Sequence, residues 1–238
     1  MSNYQKMKES LTKMEEVRSS IVPTLTGMRA LFNDETLAIK QNADLSPQGK
    51  QKKMTEVKEQ LGKDFMTLAK QLKDDYRKAS TSAKVAAEML LNEKPKKPST
   101  NTTIQTFERQ FNDLKMKLML ETRANYSIDH LNKFIAEQKD PYFAQSIIDE
   151  FPSIVQTVLG TAGPDSAKYK VELSKALDNA KQVAITPEQR EAEAIYSAMD
   201  AEYDRDLFGR GIEMDTVTDL FGTKIAGHVN KPDSYIVE

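Results

Sequence analysis

Apolar residues recur at seven-residue intervals along the first forty positions, in two series offset by three. Nine of the eleven positions are apolar: Tyr4, Leu11, Arg18, Leu25, Phe32 and Ile39 in one series, and Met7, Met14, Ile21, Met28 and Glu35 in the other. This is the spacing of the a and d positions of a coiled coil, and it predicts a helix from about Asn3 to Lys40. Pro23 removes one backbone hydrogen bond, so we expect a kink or break near Val22.

A second helical pattern starts after the short loop QNADLS. Ser46 is a good N-cap residue and Pro47 suits the first helical position. Apolar residues then follow steps of three, four and four: Met54, Val57, Leu61, Phe65, Leu68, Leu72, Tyr76, Ala79, Ala83, Ala87 and Leu90. This eleven-residue repeat predicts one nearly straight helix from Pro47 to Leu91. Five of its residues are expected to form an interaction seam that packs against another helix: Leu61, Phe65, Leu68, Leu72 and Tyr76.

The segment NEKPKKPSTNT, residues 92–102, has two prolines and three lysines and is predicted to be an exposed linker. The following residues show further helical stripes, with capping boxes expected at Thr102 with Gln105 and at Thr186 with Gln189. From Gly209 onward, Gly209, Gly211, Gly222, Gly227 and Pro232 interrupt the helical pattern. We therefore expect an extended C-terminal arm or hook there, with apolar pairs such as Ile236-Val237 available for a short strand. Two positions of this arm are open: docking on a neighbouring molecule, by strand addition or in a groove, and folding back on its own domain.

Together these patterns predict an all-α fold. Its parts would be a long antiparallel, coiled-coil-like helical hairpin at 1–91, the linker at 92–102, a smaller helical domain at 103–208 and the extended arm at 209–238. The short loop between the first two helices makes them antiparallel neighbours.

Composition limits the classes of function. The 238 residues are 39% apolar and 29% charged, with only 9 Gly and 9 Pro and no Cys, which excludes disulfides and thiolate chemistry. The start, MSNYQKMKES, has no apolar core of the signal-peptide type, and no stretch approaches the roughly 20 apolar residues of a membrane span. We expect a soluble, non-secreted protein.

The net charge of −2 conceals an asymmetry. Residues 1–139 carry 25 Lys+Arg and 18 Asp+Glu, a net +7, whereas residues 140–238 carry 9 and 18, a net −9. Two uses are open: contacts with different surfaces of an assembly, including head-to-tail contacts between copies, or folding of the two parts against each other within one chain.

No catalytic, metal or nucleotide motif is found. His130 and His228 lack nucleophile or zinc-ligand spacing. Asp200, Glu202 and Asp204 alternate as in a calcium loop, but Arg205 and Gly211 stand where that loop needs Gly and Glu. The sequence therefore predicts a protein that is not an enzyme and that needs no cofactor.

The stretch ADLSPQGKQKKMTEVKEQLGKDFMTLAKQLKDDY resembles minor structural proteins of tailed bacteriophages, over about residues 25–80. In those proteins a first helix leads through a turn of Leu, Ser or Thr, Pro, any residue, Gly and a basic residue into a long charged helix. The resemblance implies a virion or head-assembly component near the head, portal or neck, found in the virion or in the host cytoplasm during assembly. The partners would be capsid, portal or neck proteins and further copies in a homo-oligomer. One alternative is a nucleic-acid-associated packaging or ejection factor whose basic N-terminal half makes non-specific DNA contacts. A third hypothesis is an enzyme with an unrecognised site.

Overall fold

The chain is all-α, as predicted. A computed structural model describes residues 1–235, of which no residue lies in a strand, and 83% of the chain is helical. The apolar pair Ile236-Val237, considered above for a short strand, lies outside the described residues.

The described residues form ten α-helices and two short 3₁₀ turns, Gly163–Asp165 and Pro232–Ser234. The α-helices are α1 (Asn3–Gln41), α2 (Pro47–Leu91), α3 (Asn101–Leu120), α4 (Ala124–Glu137), α5 (Pro141–Asp149), α6 (Phe151–Gly160), α7 (Ser166–Ala184), α8 (Pro187–Tyr203), α9 (Ile212–Phe221) and α10 (Thr223–His228).

The chain divides into two compact units. Unit 1 combines Met1–Met89 with the chain from Ala192 onward, and unit 2 is the continuous stretch Leu90–Glu191. The sequence pattern instead places a boundary at 208 and groups residues 192–208 with the second domain. The two boundaries differ because α8 packs on residues of unit 1 that are distant in sequence. The local composition does not indicate this packing.

Helix α1 begins at a capping box in which the Ser2 side chain and the Gln5 side chain each accept a hydrogen bond from the other's backbone N–H. The helix then runs continuously through Pro23, so, of the expected kink or break, the break does not occur. Pro23 itself is exposed, while Ile21 and Leu25 on either side are buried and hold both halves of the helix on the core. This packing offsets the loss of one backbone hydrogen bond.

The expected extended arm from Gly209 is wrong, because the segment folds into α9 and α10. Gly211 and Gly222 have φ of 104° and 92°, a conformation that favours glycine, and each marks the start of a helix. The apolar residues between and after them, among them Leu220, Phe221 and Ile225, are buried in the core of unit 1. The glycines are thus helix boundaries in a folded segment.

The core of unit 1 centres on Phe65 of α2, which is fully buried. Its ring stacks on that of Phe221 at 4.7 Å between centroids and meets that of Phe208 edge-on at 5.6 Å. At Gly62, one turn before Phe65, the side chain of Ile225 leaves no room for a Cβ atom. Helix α1 supplies Met14, Ile21 and Leu25 from another side.

Unit 2 has a separate core, built from α3 to α7. Helix α7 packs on α4, α5 and α6, and α3 packs on α4 and α6. Four phenylalanines, Phe107, Phe111, Phe134 and Phe143, form a continuous cluster of ring contacts at centroid distances of 4.4 to 6.0 Å.

Candidate interaction surface

The interaction seam predicted on α2 lies against the chain's own helices. Phe65 and Tyr76 are fully buried, and Leu61 and Leu72 are half-buried against the same core. Leu68 is half-buried. Because Phe65 and Tyr76 have no exposed surface, these two residues cannot meet another molecule while unit 1 is folded.

A partly buried polar network lies next to this seam in unit 1. The phenol hydroxyl of Tyr76 donates to Glu202, whose other carboxylate oxygen lies 2.6 Å from Arg205 Nη1. The ammonium of Lys73, a residue only 2% exposed, donates to the backbone carbonyl of Arg205 at 2.5 Å. Burial lowers the pKa of Lys73. The network fastens the segment after α8 to the middle of α2.

The pKa values within this network follow from the same contacts. Burial, with the hydrogen bond to Glu202, raises the pKa of Tyr76 to about 12. Burial by itself would raise the pKa of Glu202, but the hydrogen bonds from Tyr76 and Arg205 outweigh it and lower that pKa. The network therefore holds a neutral phenol beside a charged carboxylate.

Opposite charges meet within unit 1. Residues 1–89 carry 16 Lys+Arg and 12 Asp+Glu, a net +4, and residues 192–238 carry 4 and 10, a net −6. Asp233 lies 3.1 Å from Lys70 and 3.2 Å from Arg77, and Asp200 lies 2.5 Å from Lys84. The hydrogen bonds from Lys70 and Arg77 lower the pKa of Asp233. Some of the opposite charges of the two parts of the sequence therefore form ion pairs within one chain. This is one of the two uses of the charge asymmetry that the sequence leaves open.

A long groove lies between α1 and α2. It consists of two adjoining cavities of about 400 and 470 Å³, which share Ser10, Lys13 and Ser82 in their lining. The remaining lining residues of the first are Lys6, Glu9, Thr81, Val85, Ala86 and Met89, and those of the second are Glu16, Val17, Ser20, Asp75, Lys78 and Ala79. Small side chains on both helices keep the groove open, and Val85 and Met89 expose apolar surface beside it.

One wall of the groove has a regular charge order. Lys6, Glu9, Lys13 and Glu16 follow each other at spacings of three, four and three, so they lie on one face of α1, and all four are exposed. Among residues 1–235 none of the four has an ion-pair partner. The alternation is visible in the sequence, but sequence reasoning missed it because it considered net charge rather than order along one helix face.

Unit 2 has an exposed apolar patch at the end of α3. Met116, Met119 and Leu120 are 57%, 64% and 76% exposed, and the spacings of three and four residues place them on one side of the helix. The opposite side of α3 is buried in the core of unit 2 through Phe107, Phe111 and Leu118.

A further contact that sequence reasoning missed is made by Gln189 in unit 2. The predicted capping box with Thr186 is present: the Gln189 side chain accepts from the Thr186 backbone N–H and the Thr186 hydroxyl accepts from the Gln189 N–H. The amide Nε2 of the same side chain also donates to the carbonyls of Leu90 and Glu93, at 3.2 and 2.9 Å. The other expected box, Thr102 with Gln105, does not form, because α3 already begins at Asn101.

Comparison with known proteins gives no relative: no family model, no curated protein and no solved structure matches this chain. Residues 1–235 contain no helix that is both long and apolar enough to cross a membrane. Across the same residues no three carboxylate, histidine or cysteine side chains are grouped so that they could hold a metal ion.

Proposed function

We propose that this chain is a non-enzymatic structural or assembly protein, a component of the head, portal or neck of a tailed bacteriophage. It would act in the virion, or in the host cytoplasm during assembly, through helix–helix and charge-complementary contacts with other virion proteins and with its own copies. The phage assignment rests on the resemblance over residues 25–80. The mode of action rests on the groove between α1 and α2.

The observation that carries the proposal is the charge order on the wall of the groove. If a second copy packs its α1 antiparallel to this one, centred on residue 11, Lys6 faces Glu16 of the second copy and Glu9 faces Lys13 of the second copy. The two-fold axis repeats both pairs, so all four facing positions have opposite charges. An isologous interface needs this kind of self-complementarity.

The rest of the groove suits the same partner. Ser10, Ser82 and Ala86 are small, which lets another helix approach closely. Val85 and Met89, now 43% and 51% exposed, would be covered by the second copy. The charged residues would set the register, while burial of apolar surface would supply most of the stabilisation.

Sedimentation analysis of charge-swapped variants tests this interface. Glu9→Lys places like charges opposite each other twice per dimer and is expected to weaken self-association about tenfold or more. Glu9→Lys combined with Lys13→Glu restores opposite charges and is expected to restore association. Lys52→Glu, on an exposed residue that does not line the groove, serves as control and should associate like the wild type.

Two results would contradict the proposal. One is a wild-type chain that is monomeric at every salt concentration and copurifies with no capsid, portal or neck protein. The other is a double variant that associates no better than Glu9→Lys alone, since in that case the two positions do not face each other.

The nucleic-acid-associated alternative is favoured by one feature, the basic start of α2. Lys50, Lys52, Lys53, Lys58 and Lys63 fall within fourteen residues that contain only two acids, Glu56 and Glu59. Counterion release would make binding to random-sequence DNA strongly dependent on salt. A gel shift with random DNA that disappears between low and physiological salt, and weakens in Lys52→Gln with Lys53→Gln, would support packaging or ejection over a purely structural role.

A further inference from the structure

Another cavity of unit 1, separate from the groove between α1 and α2, has an apolar floor and a basic rim. It encloses about 580 Å³ beside the first turns of α2, within the size range of small-molecule sites. The floor is formed by Phe32 of α1, Met54 of α2, and Phe221 and Ile225 of α9 and α10. Tyr235 adds an aromatic wall.

The rim carries three lysines, Lys58, Lys63 and Lys224, against a single acid, Glu59. For Lys58 and Lys63, the part of the chain that the structure describes contains no ion-pair partner. Lys58 is half-buried and Lys63 is exposed. The cavity thus offers apolar contact at the bottom and positive charge at the opening.

We propose that this cavity binds a small amphiphile with an alkyl chain and one carboxylate, a fatty acid in chemical class. The alkyl chain would lie on Phe32, Met54 and Ile225, where burial of apolar surface drives binding. The carboxylate would remain at the mouth with Lys58 and Lys63, neither of which forms an ion pair with a carboxylate of residues 1–235. A neutral alkyl ligand would be stabilised only by the apolar contact. A small anion without an alkyl chain would be stabilised only by the attraction to the lysines.

The floor owes its shape to Gly62. Since Ile225 occupies the space that a side chain at position 62 would take, α10 approaches α2 closely and Ile225 closes the end of the cavity. The site therefore depends on α10, in a region where the sequence pattern indicates an extended arm.

Isothermal titration calorimetry of the full-length chain with dodecanoate tests this site. Dodecanol and acetate serve as ligand controls. Dodecanoate is expected to bind at one site, and dodecanol and acetate at least about fivefold more weakly. Lys58→Gln combined with Lys63→Gln should weaken dodecanoate about fivefold to tenfold and leave dodecanol unchanged. Higher salt should weaken dodecanoate only. Lys97→Gln, on an exposed residue outside the cavity, is the matched control and should bind dodecanoate like the wild type.

A blocking variant addresses the apolar floor separately. Thr55 is an exposed residue of the cavity lining, so the Thr55→Trp side chain would fill the cavity from the solvent side. This variant should not bind dodecanoate. Its circular dichroism spectrum checks that the chain is folded. The proposal is overturned if no dodecanoate binds, if Thr55→Trp binds it unchanged, or if the two lysine substitutions have no effect.

Discussion

The phenol hydroxyl of Tyr76 donates a hydrogen bond to the carboxylate of Glu202, a residue 126 positions further along the chain. Tyr76 is fully buried in the middle of α2, and Glu202 lies in the last turn of α8. The bond joins the two chain segments that make unit 1. It also ties the stability of the unit to the protonation of a phenol.

Raising the pH is expected to remove this contribution. The pKa of Tyr76 is raised from 10.0 to about 12, so its contribution to the free energy of unfolding is fully present below pH 10 and is lost as the pH rises from 10 to 12. Tyr76→Phe lacks the hydroxyl and should be less stable than the wild type at pH 8, with a difference that shrinks over that window. Urea unfolding at several pH values measures it. A difference that stays constant between pH 8 and 12 would show that the phenol does not titrate as argued.

Two positions of the predicted seam should differ in their effect on stability. Phe65→Ala removes a fully buried ring that contacts Phe208 and Phe221, and is expected to cost about 3–5 kcal/mol. Leu68→Ala, on the same helix, truncates a half-buried side chain and should cost clearly less. Thermal or urea unfolding of the two variants compares them directly. Equal costs would mean that both side chains are buried to the same extent.

Two glycines inside helices should respond in opposite ways to alanine. At Gly27 of α1 nothing lies within 4 Å of the position that a Cβ atom would take, so Gly27→Ala is expected to stabilise by up to about 1 kcal/mol through helix propensity. At Gly62 the new methyl group must displace Ile225, which cancels that gain or exceeds it. The difference between the two unfolding free energies is the quantity to measure. A Gly62→Ala variant as stabilised as Gly27→Ala would show that Ile225 moves without cost.

Loss of the Gln189 side chain should loosen the end of α2 within unit 2. Gln189→Ala removes the capping-box contact and the hydrogen bonds to the carbonyls of Leu90 and Glu93, at an expected cost of about 1–2 kcal/mol. Hydrogen exchange should become faster in residues 90–93 and in the first turn of α8. Gln105→Ala is the control, since Gln105 is exposed and its expected capping box does not form. Equal exchange in both variants would contradict the proposed role.

Local signals in the sequence are sufficient to predict the helices, but not to predict which helices pack together in one unit. Pro47 and the Thr186–Gln189 box indicate where α2 and α8 begin, because a cap acts over three or four residues. By contrast, the contact of Phe65 with Phe208 and Phe221 joins positions more than a hundred residues apart, and no local pattern encodes it. The glycines at 211 and 222 indicate interruptions, but sequence does not show whether a glycine ends a helix or starts the next one.

The candidate surfaces are predictable to a smaller extent. The seam on α2 has the sequence pattern of a binding face, yet Phe65 and Tyr76 are buried against helices of the same chain. A hydrophobic stripe indicates that another surface packs on it. The stripe has the same sequence pattern whether that surface belongs to the same chain or to another molecule. The groove wall of Lys6, Glu9, Lys13 and Glu16 could have been found from its alternation alone, whereas the cavity over Ile225 depends on the tertiary position of α10.

The insertion of unit 2 between the two segments of unit 1 imposes an order on biosynthesis. All residues of unit 2 are synthesised before the segment that carries Phe208, Phe221 and Ile225. Unit 2 can therefore fold during translation, while the ring of Phe65 stays uncovered until synthesis has passed residue 221. For that interval the nascent chain presents an apolar face of α2 to chaperones and proteases, because the residues that cover Phe65 belong to the last segment to be synthesised.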